Sequence, residues 1–212
     1  MKGPTRILLA LLAALLLLAP SRGGEGPRAH PHVWILAEAE MLHAEGALSG
    51  VRLSWRFDEF FSAILYEDFD WNGDGAFTPD EVEAMRAGAF SGLSEVGWFT
   101  DIRADGTLLA LTASPEFGVT ADRAAGTVTY RLTLLLTDPV DPVAAPVSLS
   151  IYDPEHYVSL EFDEVAAPIR VAEAAPFECA ATVERDLSNP LYFGYYHPPI
   201  ARLSCARTGG QG

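Results

Sequence analysis

The hydrophobic period changes twice along the chain, and those changes outline its elements. Residues 32–40 (HVWILAEAE) and 47–57 (ALSGVRLSWRF) alternate apolar and polar positions around Ala44-Glu45-Gly46, with Val51, Leu53, Trp55 and Phe57 on one face. A period of two on both sides of a short polar turn predicts a β-hairpin. Between 57 and 66 (FDEFFSAILY) the apolar residues recur three and four apart, which predicts an amphipathic helix. A second helix is predicted over 79–93. Thr78 is its N-cap, Pro79 sits where a missing N–H costs nothing, and Glu81 completes a capping box.

From Trp98 the alternation returns. Residues 99–104 and 107–112 flank Asp105-Gly106, and 117–121 and 127–137 flank 122–126. A third pair, 147–152 and 156–162, flanks Asp153-Pro154-Glu155. Each reads as a hairpin. Pro139, Pro142 and Pro146 mark a loop, and Val171 and the stretch after Cys179 add edge strands. The expected class is α+β: a mainly antiparallel β-sandwich with an inserted helix-loop-helix, EF-hand-like hairpin at 57–93.

The N-terminal pattern sets the compartment. Lys2 and Arg6 precede thirteen unbroken apolar residues, 7–19. About twenty are needed to cross a bilayer, so a basic start and a short apolar run predict a secretory signal peptide. Cleavage fits after Ser21 or Gly23; a cut after Ala29 would leave His30 first. The expected organisation is a signal peptide and short linker over 1–29, one periplasmic β-rich domain over 30–207, and a disordered tail over 208–212.

Charge then narrows the partners. Loss of residues 1–29 removes four cations and one anion and takes the net charge from −15 to −18, leaving ten arginines and no lysine. Such a balance excludes nucleic acid and suits a protein that handles cations. Cys179 and Cys205 are the two cysteines. In an oxidising compartment they are expected to form one disulfide, since no C-x-x-C or zinc-knuckle spacing occurs.

The loop between the predicted helices, DWNGDGAFTPDE at 70–81, carries the most specific chemistry. Calcium takes six to eight oxygens, and this spacing supplies them. Asp70, Asn72 and Asp74 stand at the first, third and fifth slots, and Gly75 permits the turn at the sixth. Ala76 offers a carbonyl, Thr78 a direct or water-mediated oxygen, and Glu81 a bidentate carboxylate at the twelfth. With no second such loop, a structural calcium is expected rather than a switch.

Histidines suggest a second kind of ion. In an extended segment, residues two apart point to one side, so His30 and His32 could share a cation of the nickel, cobalt or zinc type. Asp153 and His156 would join them if their strands are neighbours. On spacing alone, solvated histidines and an Asp-Pro turn capped by Asp153 account for these residues better than a shared ion does.

The motifs HPHVW, LSWRFDEFFS, DFDWNGDG, WFTDIRADG and SLSIYDPEHYVSLEF, in order over about residues 29–163, resemble a family of exported bacterial proteins. That family is catalogued as a domain of unknown function and described as the periplasmic component of an ABC-type transport system. The resemblance implies a periplasmic protein found with nickel/cobalt-type metal transporters. It matches the family's His-Pro-His to His30 and His32, its acidic loop to Asp70, Asn72 and Asp74, and its Tyr-Asp-Pro to Tyr152 and Asp153.

Two functions are carried forward. The first is a periplasmic metal-binding accessory protein of a divalent transition-metal transport system, partnered by metal ions and an inner-membrane transporter, with one structural calcium. The second is a calcium-stabilised interaction module that docks on a transporter through its aromatic segment 192–196. No G-x-S-x-G, H-E-x-x-H or phosphate loop occurs, so no enzyme is expected.

Overall fold

The first hairpin forms where the alternation places it. Strands β1 (Val33–Ala44) and β2 (Ala47–Phe57) pair antiparallel. Their turn puts Glu45 at φ 52° and Gly46 at φ 82°, the left-handed pair that matches strand twist. The computed structural model describes residues 31–164 and 167–208, without the side chains of residues 89–91. The expected signal peptide, His30 and residues 209–212 therefore lie outside the described residues.

Helices α1 (Glu59–Phe69) and α2 (Pro79–Leu93) follow β2. The chain then adds β3 (Thr100–Ala104), β4 (Thr107–Leu108), β5 (Leu111–Asp122) and β6 (Thr127–Val140). It closes with β7 (Val147–Ile151), β8 (Val158–Phe162), β9 (Ile169–Val171), β10 (Phe177–Arg185) and β11 (Pro199–Arg207). One sheet runs β5-β6-β2-β1-β8, with β9 also on β1; the other runs β10-β11-β7-β3-β4. The protein is thus mostly β, in two sheets with few helices.

Alternation buries one face of each sheet in a shared hydrophobic cluster. Leu53, Leu132, Leu134 and Leu160 from the first sheet and Leu149 and Ile151 from the second are no more than 1% exposed. Leu65 of α1 and Met85 of α2 join the same cluster.

Three features depart from the expectation. Residues 147–162 are not a hairpin: β7 pairs with β3 and β11, whereas β8 crosses to the other sheet and runs parallel to β1. Asp153 shapes that crossing by accepting hydrogen bonds from the backbone N–H groups of Glu155, Tyr157 and Val158. The first sheet is therefore mixed, with β9 parallel to β1 as well. Third, β6 continues through Pro139, because its register against β2 jumps from Leu135↔Gly50 to Val140↔Leu48 and spares the missing N–H a ladder role.

The expected disulfide is present. Cys179 and Cys205 face each other across β10 and β11 and are bonded, 26 residues apart in sequence.

Helix α1 is fastened to the first sheet by a hydroxyl. Ser62 is fully buried, accepts from the Val128 N–H of β6 at 2.9 Å and donates to the Phe57 carbonyl at 3.4 Å. Removing that hydroxyl leaves a buried amide without its acceptor, a cost of roughly 1–3 kcal/mol. Ser62→Ala is expected to lower the urea midpoint by that energy divided by an unchanged m-value. A midpoint equal to wild type would mean that the bond does not anchor the helix.

Candidate metal site

The helix ends build the loop. Asp58 caps α1, its carboxylate accepting from Phe60 N (2.8 Å), Phe61 N (3.1 Å) and Trp34 N (3.0 Å). At α2 the capping box forms as the sequence predicts, with Pro79 in the first turn. Glu81 Oε2 accepts from the Thr78 amide at 2.7 Å and from its hydroxyl at 2.9 Å.

Between the caps, the loop's own amides hold its acidic side chains in place. Asp70 accepts from Gly75 N at 2.8 Å and from Asp74 N at 3.1 Å. Asn72 Oδ1 also accepts from Asp74 N, and its Nδ2 donates to Asp74 Oδ2. Asp74 Oδ1 accepts from Ala76 N at 2.8 Å. Glu81 reaches back across the loop, its Oε1 accepting from Trp71 N at 2.8 Å. Gly73 and Gly75 have φ of 69° and 77°, backbone that a side chain would strain. Phe77 turns inward and stacks on Tyr66, ring centroids 5.3 Å apart.

Glu81 is the buried carboxylate of this arrangement, 2% exposed. The Thr78 amide first, with the Thr78 hydroxyl and the Trp71 amide, holds its pKa below the ordinary 4.5 against the opposing effect of burial. The donor chemistry fits a hard dication: carboxylates, one side-chain amide oxygen, a carbonyl at Ala76 and a hydroxyl at Thr78. The acids are spread around the loop. Among the described residues, no three His, Cys, Asp or Glu side chains stand together as a ready ligand group.

The second expected cluster is only partly assembled. His30 lies outside the described residues. The His32 amide donates to the Tyr157 carbonyl at 2.8 Å and its ring packs on Tyr157 at 4.8 Å, so the two histidine-bearing segments are indeed neighbours. Asp153 is 6% exposed and both of its oxygens accept backbone N–H groups of its own turn. His156 adopts φ 54° and stacks on Tyr196 at 4.1 Å rather than on His32. It lines a cleft of about 450 Å³ with His197, Pro31, Trp34 and Glu161. His197 is thus on the same cleft, a proximity set by the crossing from β7 to β8 that no local pattern encodes.

Sequence reasoning also missed Arg123. It lies in the β5–β6 turn yet sits against Gly75, so the loop has a basic neighbour from a distant segment.

The lowered pKa of Glu81 has a definite sign. Stability from ionised Glu81 is present above its unfolded value and is lost as pH falls through the lower folded value. In EGTA, the gap in urea midpoint between wild type and Glu81→Gln is expected to stay constant from pH 7 to about 5 and to narrow once pH falls below the ordinary carboxyl value of 4.5. A gap independent of pH would show that the ionised carboxylate does not hold the loop.

Residues 11–190 match the model of a family described as a protein of unknown function (DUF1007). A search of curated proteins finds no match to the chain.

Proposed function

We propose, on the premise that the chain belongs to this family of unknown function, that it is an exported metal-binding protein with one structural calcium in loop 70–81. One observation carries the reading: the loop amides and the capping box hold Asp70, Asn72, Asp74 and buried Glu81 at the first, third, fifth and twelfth slots. Those residues, with the Ala76 carbonyl and Thr78, would hold the ion. When bound, the ion supplies a hard positive charge that offsets the mutual repulsion of the acids. The chain's own groups do the rest. Gly75 makes the turn, Phe77 and Tyr66 wedge the loop against α1, and Glu81 ties its far end to α2. A single loop with these ties suits a rigid brace, and an affinity of about 10⁻⁴–10⁻³ M suffices outside the cytoplasm.

The calcium-braced scaffold would serve as an accessory binding protein, not an enzyme, in divalent transition-metal transport. A nickel-, cobalt- or zinc-type ion at His30, His32 and His156 is supported by the parallel pairing of Val33 with Val158, which sets the His32 and Asp153–His156 segments side by side. The alternative role, docking on an inner-membrane transporter, is supported by Phe193 and Tyr195, which are 94% and 86% exposed.

For calcium, the measurement is the melting temperature of EGTA-stripped mature protein on titration. Calcium at a hundred times its dissociation constant adds about 2.7 kcal/mol of stability, which for a domain of this size raises Tm by roughly 5–10 °C. Asp70→Asn and Glu81→Gln are expected to abolish the rise. A Tm indifferent to both calcium and EGTA sinks the reading.

For the transition ion, calorimetric titration of chelator-stripped protein with nickel, cobalt and zinc is decisive. The His30→Ala/His32→Ala double variant is expected to lose at least about tenfold in affinity, on the scale of a lost ligand. Equal affinity in that variant removes the site.

A further inference from the structure

Between Arg56 and Arg86 the chain carries no basic residue, while Glu67, Asp68, Asp70, Asp74, Asp80 and Glu81 crowd the hairpin. A cation from outside the hairpin reaches this segment from the β5–β6 turn. The guanidinium of Arg123 lies against Gly75: a side-chain carbon at position 75 would fall 1.7 Å from its Nε and 1.9 Å from its Cζ. Gly75 therefore serves twice, allowing a left-handed turn and leaving the space the guanidinium fills.

This approach is built rather than incidental. Asp122 Oδ1 accepts from Ala124 N and Ala125 N at 3.0 Å each and fixes the turn that carries Arg123. Immediately beyond, Ser62 holds Val128 N and locks the same hairpin to α1. The Tyr66 hydroxyl reports the shared neighbourhood: burial raises its pKa most, Arg123 opposes that, and Asp122 and Asp70 add to it. Arg123 is also exposed, so its charge acts through hydrated surface.

We propose that Arg123 is a tethered counter-cation of the calcium loop. It offsets part of the acidic charge when no ion is bound and opposes the ion when one enters. It thereby sets calcium affinity and lets the hairpin persist without calcium. The proposal rests on the calcium reading above and adds to it a residue 42 positions beyond the loop's last residue that regulates the same site.

The test is calcium titration by calorimetry of wild type, Arg123→Gln and Arg123→Lys, with Tm in EGTA measured alongside. Removing the charge is expected to tighten calcium binding by about three- to tenfold at low salt, the size of a unit charge acting on a dication through hydrated surface. The difference should shrink in roughly 1 M salt, where the Debye length falls to about 3 Å. Arg123→Lys keeps the charge and is expected to bind within about twofold of wild type. In EGTA, Arg123→Gln should melt below wild type, since the acids then repel unscreened. Arg123→Met makes the same comparison if the Gln variant is poorly folded. If Arg123 only packed against the loop, both Gln and Lys would weaken binding, and that result overturns the proposal. So does an unchanged affinity in Arg123→Gln. A wild-type protein that takes up no calcium sinks the calcium reading and this proposal with it, whereas wild-type binding with a flat variant series sinks this proposal alone.

Discussion

Backbone N–H groups in a short link between two helices must find acceptors, and in this protein acidic side chains provide them. The start of α2 and the link before it leave donors that no helical carbonyl can reach. Asp70, Asn72, Asp74 and Glu81 accept from Trp71, Asp74, Gly75, Ala76 and Thr78. The cost is a concentration of negative charge in one loop. That charge underlies the cation chemistry proposed for the loop.

The same local logic explains what could be read from the sequence. The first hairpin, the switch to a helical period at Phe57, the cap at Thr78 and the turn at Asp105-Gly106 are each settled by residues a few positions apart. So is the donor spacing of 70–81. Strand pairing is a different matter. Val147–Ile151 and Val158–Phe162 look like the arms of a hairpin, but they belong to different sheets, because the Asp153 turn redirects the chain instead of folding it back. Alternation marks an inward face equally well in either sheet, so it cannot choose the sheet.

The candidate sites follow that division. The donor spacing of loop 70–81 is contiguous, so it can be read from the sequence. The histidine cluster depends on which strands adjoin, and there the pattern gave the neighbourhood of His32 and residues 153–157 but not the orientation of His156, which lies on Tyr196. His197 and Arg123 carry no local signal. They reach their places through the crossing between sheets and the width of the β5–β6 hairpin. Asp153 shows the converse: its Asp-Pro turn was visible, and the structure spends its carboxylate on the backbone.

The order of strands bears on the wholeness of the scaffold. Along the described chain, the path changes sheet between β2 and β3, β4 and β5, β6 and β7, β7 and β8, and β9 and β10. The two layers are laced together, not laid one on the other by a single seam. A protease that nicked one surface connection would leave the remaining crossings, the shared apolar interior and the bridge between β10 and β11 to keep the pieces in register. Severing this protein into separable halves therefore demands several cuts.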